Sequence, residues 1–135
     1  NPIALALTSG ASFVARGFSG QVDHLSTLIM EAIKHKGFAF IDVLQPCVTF
    51  NKKNTYPWYR ERIYKLEDES DYDNTNLLQA FAKSQEESQD KIPIGIFYKV
   101  DKPTYEDGLK QIERKPLVDH VITDVDINKL LNEYF

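Results

Sequence analysis

The stretch FAFIDVL, residues 38 to 44, constrains this chain more than any other part of it. Asp42 is its single polar residue. A strand with one face in water alternates apolar and polar positions, whereas an unbroken apolar run fits a strand covered on both faces, as in a parallel sheet with helices on either side. The residues ahead of it agree. Ser12 to Arg16 reads as a short strand, Gly17, Ser19 and Gly20 punctuate it, and from Val22 the apolar positions Leu25, Leu28, Ile29, Ala32 and Ile33 recur with a helical period that predicts one buried stripe. Lys34, His35 and Lys36 suit the negative end of that helix, and Gly37 suits its termination. Strand, helix and strand within about thirty residues make a βαβ unit. The predicted fold class is α/β, with a mainly parallel sheet flanked by helices.

In open α/β sheets ligands bind beyond the carboxyl ends of the strands. Gln45 to Asn51 occupies that position, and it carries the lone cysteine, Cys47. One cysteine excludes an internal disulfide framework. Together with the lack of any signal-peptide pattern or apolar run of transmembrane length, it points to a reducing cytoplasm. The 135 residues fit one domain, and a net charge of −4 argues against a nucleic-acid surface, which needs a concentrated basic face. Asn1-Pro2 is not an initiator methionine, and the residues after it read as the middle of a domain, so the chain is expected to be a fragment.

Pro2 followed by IALAL reads as the end of a short helix or its first turns. Residues 52 to 65 interleave Lys52, Lys53, Arg60, Arg62 and Lys65 with Tyr56, Trp58, Tyr59 and Tyr64, directly before an acidic block from Glu67 to Asp73. The neighbouring carboxylates neutralise much of that basic field within about 10 Å, which favours a solvated or subunit-facing segment over an anion site. Leu77 to Ala82 predicts a short helix and SQEESQD a polar loop. Ile92 to Val100 predicts another strand, with Pro93 at its start or on an edge because proline cannot donate to the ladder. Asp126 is placed to cap a last helix, with Ile127, Leu130, Leu131, Tyr134 and Phe135 on one face that docks on this chain or on a partner.

A self-contained catalytic constellation is not visible. Thr49 and the serines lack a nucleophile motif, and His24, His35 and His120 do not fall at the spacing of a helical metal pair. Gly17-Phe18-Ser19-Gly20 superficially resembles a phosphate-cradling turn, yet it lacks the dinucleotide fingerprint and the P-loop lysine, so a plain strand-to-helix turn is the simpler reading. Asp42 is either a buried acid with a raised pKa or a carboxylate satisfied by neighbouring amides. Cys47 has two readings as well. Free cysteines usually pack as small hydrophobes, but a thiolate at a strand end among backbone amides can ligate a soft metal centre.

From Asn1-Pro2 through Ala15-Arg16, the GFSG turn and the helix ending KHKGFAFIDVLQPCVTFN, the sequence resembles the carboxyl-terminal half of the β subunit of thiamine-diphosphate-dependent 2-oxoacid:ferredoxin oxidoreductases. The likeness is dense over residues 1 to 51 and looser through Trp58-Tyr59 and IPIGIFYK. It implies a thiamine-diphosphate-binding fold, with residues 1–51 as the carboxyl-terminal part of that domain and 52–135 as an extension packing on it. It implies oxidative decarboxylation of a 2-oxoacid such as pyruvate, with coenzyme A, to an acyl-CoA and carbon dioxide, electrons leaving through an iron–sulfur cluster to ferredoxin. An α subunit is the implied partner, with thiamine diphosphate lying between the two. By the same resemblance Cys47 matches the cysteine that supplies the last ligand of a [4Fe–4S] cluster in the archaeal-type enzymes. The other three cysteines, and the Gly-Asp-Gly stretch and later asparagine that hold Mg2+ and the diphosphate, are not in this sequence. No catalytic residue is therefore assigned here, the isolated chain is expected to be inactive and to self-associate through its uncovered face, and a non-catalytic assembly module remains the alternative.

Overall fold

The computed structural model describes residues 1–86, 90–110, 112, 115–121 and 126–134. They form two compact units, Asn1–Thr104 and Tyr105–Phe135.

The first unit opens with helix α1, Pro2–Thr8, started by Asn1, whose Oδ1 accepts the Ala4 amide at 3.1 Å while its Nδ2 donates to the Ser84 carbonyl at 2.6 Å. Proline at the first helical position has no amide to leave unpaired. Strand β1, Phe13–Phe18, is buried at every residue. Helix α2, Val22–Lys34, leads to strand β2, Ala39–Leu44, which pairs parallel with β1 from Phe13↔Ala39 to Phe18↔Leu44. The predicted βαβ unit is thus present. Between α2 and β2 the chain turns at Gly37, with φ +120°. A Cβ there would meet the Ser12 Oγ, the atom that accepts the Phe38 amide at 3.0 Å and lies 2.9 Å from His35 Nε2.

The sheet continues across residue 51. Helix α3, Tyr56–Arg60, strand β3, Ile63–Lys65, helix α4, Leu77–Ser84, and strand β4, Ile92–Lys99, complete the order β2-β1-β4-β3. β3 runs parallel to β4, and β4 runs antiparallel to β1 with a bulge at Val14/Ala15. Pro93 is the second residue of β4, beyond the last β1 pairing at Gly95, so its missing amide interrupts no bond to β1. α1 and α4 cover one face with Ile3, Leu7 and Ala80 against Val14 and Phe97, and α2 covers the other with Leu28 against Phe13 and Ala15.

Two sequence expectations change. β2 is an edge strand whose residues are only partly buried, with Val43 exposed, because among the described residues no strand pairs with its outer side. The α2 stripe divides as well. Leu28 is buried and Leu25 and Ala32 are partly buried, while Ile29 and Ile33 are 41% and 77% exposed. A single sheet face accepts only the row at 25, 28 and 32, and the apolar row at 22, 29 and 33 points sideways along the helix flank.

In the second unit, single turns at Glu106–Gly108 and Leu117–Asp119 precede helix α5, Asn128–Leu131. Asp126 Oδ1 accepts the Asn128 amide at 3.0 Å, as the capping pattern predicts. The helix is shorter than its sequence pattern, and Ile127, Leu131 and Tyr134 are exposed. The Leu130 side chain and Phe135 lie outside the described residues, as do Glu87 to Gln89 of the predicted polar loop. No helix among the described residues is long and apolar enough to cross a membrane.

Candidate metal centre

β1 and β2 end side by side, and Ser19 donates its amide to the Leu44 carbonyl at 3.0 Å. From that point the chain leaves the sheet. Pro46 is buried and Cys47 is exposed as a free thiol. Residues 47 to 51 close a turn in which the Asn51 amide donates to the Cys47 carbonyl at 3.0 Å, and Asn51 Oδ1 accepts the amides of Lys53 and Asn54 at 2.9 and 3.0 Å. Lys52 Nζ donates to the Val48 carbonyl at 2.6 Å.

The thiol therefore faces donors. The backbone amides of Phe50 and then Thr49 hold its pKa below the ordinary cysteine value, with a smaller contribution from Asn51, and slight burial opposes them. Amide hydrogen bonds favour the charged sulfur, and the thiolate is the form that binds metal. The buried-hydrophobe reading does not describe Cys47 in this structure. Thr49 and Phe50 supply amides to the thiol. Val48 and Phe50 give no apolar shield within this chain, since they are 63% and 91% exposed. Among the described residues no group of three or more His, Cys, Asp or Glu converges, so the donor set here fits one ligand of a cluster and not a whole one.

Asp42 is neither a lone acid nor a residue satisfied by amides. Its Oδ2 accepts from Arg16 Nε at 2.8 Å, across the β1–β2 register. That arginine, whose guanidinium also lies 5.8 Å from the Phe97 ring centre, is one partner that sequence reasoning did not find. The GFSG turn is filled by protein. A Cβ on Gly17 would fall 2.5 Å from Leu25 Cδ1, and one on Gly20 would collide with Phe18 Cε1, so the glycines make room for side chains and leave no phosphate cradle. His24 Nε2 lies 3.6 Å from Glu67, His35 meets Ser12, and His120 Nε2 meets the Lys115 carbonyl.

The basic, aromatic segment folds back on the same turn. Tyr56 and Tyr59 each pack 5.6 Å from Phe18 between ring centres, and Trp58 meets Tyr59 edge-on at 4.9 Å. Arg62 stacks 4.6 Å over Trp58 and donates to its carbonyl at 2.9 Å. These contacts use Tyr56, Trp58, Tyr59 and Arg62 in packing within the chain.

The family model for the C-terminal region of the pyruvate ferredoxin oxidoreductase beta subunit matches residues 47–114, beginning at Cys47 itself. This chain belongs to that family. The β subunit of a 2-oxoacid:ferredoxin oxidoreductase from Sulfolobus sp is 52% identical over 120 residues, covering 82% of this chain and 39% of the relative. The corresponding subunit of oxidoreductase 1 from Aeropyrum pernix is 48% identical over 120 residues, covering 82% and 38%. In structure the chain superimposes with a TM-score of 0.77 and 34% identity on a chain of the 2-oxoglutarate:ferredoxin oxidoreductase from Magnetococcus marinus, solved with 2-oxoglutarate, coenzyme A and succinyl-CoA bound. That likeness covers 100% of this chain and 44% of the other. The chain therefore spans about two fifths of the length of these relatives.

Proposed function

We propose that this β-subunit stretch serves an enzyme that oxidatively decarboxylates a 2-oxoacid, with coenzyme A as acyl acceptor and ferredoxin as electron acceptor, and that its own contribution is one thiolate ligand of a [4Fe–4S] cluster. The observation that carries the reading is Cys47, an exposed thiol among backbone amides at the carboxyl end of the sheet. Membership of the family and the relatives' names support the reaction class, and the Magnetococcus marinus complex supports coenzyme A as co-substrate.

In this reading Cys47 would be one ligand of the cluster, and the Phe50 and Thr49 amides would offset its thiolate charge. Thiamine diphosphate, held with Mg2+ by residues outside this chain and by an α subunit, supplies the carbanion chemistry at the 2-oxoacid carbonyl. In this reading substrate choice rests largely on pocket residues elsewhere in the assembly. The open β2 edge and the apolar α2 flank accept the remainder of the β subunit, and in its absence they promote self-association of the chain.

The test is Cys47→Ser in the complete, reconstituted enzyme. The expected result is depletion of cluster iron and of ferredoxin reduction, and unchanged iron content overturns the assignment.

A further inference from the structure

The loop that carries Cys47 is pinned at both ends to two adjacent residues of β1 and the turn after it. At its start Leu44 accepts the Ser19 amide. At its return, Tyr56 packs its ring on Phe18 at 5.6 Å and accepts a hydrogen bond from Ser19 Oγ at 3.3 Å. Phe18 is fully buried, so the anchor belongs to the sheet and not to the surface. Gly20 completes the fit, because a Cβ there would collide with Phe18 and lie 3.0 Å from the Tyr56 ring. Between the pins, hydrogen bonds join Cys47 to Asn51 and Asn51 to Lys53 and Asn54, and Thr55 leads into α3, where the Tyr59 amide meets the Thr55 carbonyl at 3.0 Å.

We propose that Tyr56 is a positioning residue for the iron–sulfur ligand: by clamping the far limb of the loop onto Phe18 and Ser19, it sets where Cys47 and its amide donors stand relative to the sheet. The proposal rests on the reading of Cys47 as a ligand. A thiolate on an unclamped loop of this length still binds iron but samples many orientations, and the amides that tune the sulfur move with it. Partners that orient a ligand typically change affinity or activity by about 10- to 100-fold when removed.

The complete, reconstituted enzyme is compared with its Tyr56→Leu, Tyr56→Phe and Gly20→Ala variants for iron content, for the electron paramagnetic resonance spectrum of the reduced cluster and for ferredoxin reduction. Tyr56→Leu is expected to broaden or shift that spectrum and to slow ferredoxin reduction about tenfold. Tyr56→Phe keeps the ring on Phe18 and is expected to stay close to wild type. Gly20→Ala leaves Tyr56 in place, displaces the ring pair and is expected to reproduce the Tyr56→Leu spectrum, which keeps the test open if the leucine variant does not fold. An unaltered spectrum in Tyr56→Leu or in Gly20→Ala overturns the proposal. Cys47→Ser runs alongside. If that variant keeps its iron, the ligand reading itself fails, and the Tyr56 clamp is then judged by Cys47 alkylation in the cluster-free subunit, where Tyr56→Leu must change the rate if the clamp holds the amides on the thiol and leaves it unchanged if it does not.

Discussion

Arg16 Nε and Asp42 Oδ2 lie 2.8 Å apart across the β1–β2 pairing, with the arginine side chain 1% exposed and the aspartate 22%. A guanidinium buried so deeply in the sheet needs its counter-charge. Removing one partner of a buried pair typically costs about 3 to 5 kcal/mol, a large share of the roughly 5 to 15 kcal/mol that holds a domain together. Asp42→Ala is therefore expected to lower the urea midpoint steeply, whereas Arg16→Met combined with Asp42→Leu recovers most of the loss. A cost below about 1 kcal/mol for Asp42→Ala would show that the pair is incidental to stability.

His35 gives the fold an acid-sensitive joint. Burial holds its pKa below the ordinary histidine value, Asp101 pulls it up less strongly and Lys99 pushes it down further. Its Nε2 contacts Ser12 Oγ, the atom that accepts the Phe38 amide at the start of β2. The folded chain takes up this proton less readily than the unfolded chain does. Stability is thus complete above the unfolded value of about 6.5, falls as pH drops through it, and levels off below the lower folded value. Urea midpoints at about pH 7.5 and 5.5 are expected to differ more for wild type than for His35→Gln. Equal differences in the two proteins refute the role of His35.

The sequence of β2 and its place in the sheet disagree in an instructive way. FAFIDVL has the composition of an internal parallel strand, yet β2 stands at an edge with no lysine, proline or bulge inside it to discourage pairing. The Phe38 carbonyl accepts from β1 and the Leu44 carbonyl accepts from Ser19, so the even-numbered peptide groups turn inward and those of Ala39, Ile41 and Val43 turn outward. Beside the edge runs a groove of about 300 Å³ lined by Leu5, Ala6, Phe38 and Phe40, and the flank of α2 away from the Glu31–Lys99 ion pair presents Val22, Ile29 and Ile33. In the complete β subunit the outward amides are expected to exchange hydrogen far more slowly than in the 135-residue chain, by roughly two orders of magnitude. Similar rates in both would leave this edge solvated in the subunit.

Periodicity carried most of the fold because it reports what each segment buries. It located α1, β1, α2, β2, α4 and β4, since a strand or helix of those lengths has few other ways to cover its apolar residues. It could not tell that Ile29 and Ile33 stay exposed, because an apolar row reads the same whether this chain or another covers it. Local pattern also missed Arg16 and Tyr56. One is a charge inside a strand and the other an aromatic in a polar stretch, and each acquires its role only through a partner more than twenty-five residues away. Cys47 was legible as a position, at a strand end after proline, while its exposure and its amide donors came only with the turn that surrounds it.

That turn makes Cys47 chemically distinct even without a cluster. The amides of Phe50 and Thr49 favour its charged form, and the charged form is the nucleophile. In the cluster-free chain the rate of iodoacetamide alkylation is expected to rise with pH through a midpoint below the ordinary cysteine value. Phe50→Pro removes the leading donor, since proline has no amide hydrogen, and is expected to move that midpoint upward, whereas Phe50→Ala keeps the amide and is expected to move it little. Because Phe50 is 91% exposed, neither change disturbs a core, and the pair separates the backbone contribution from the side chain. Equal midpoints for the proline and alanine variants would mean that the Phe50 amide is not the leading source of the thiol's acidity.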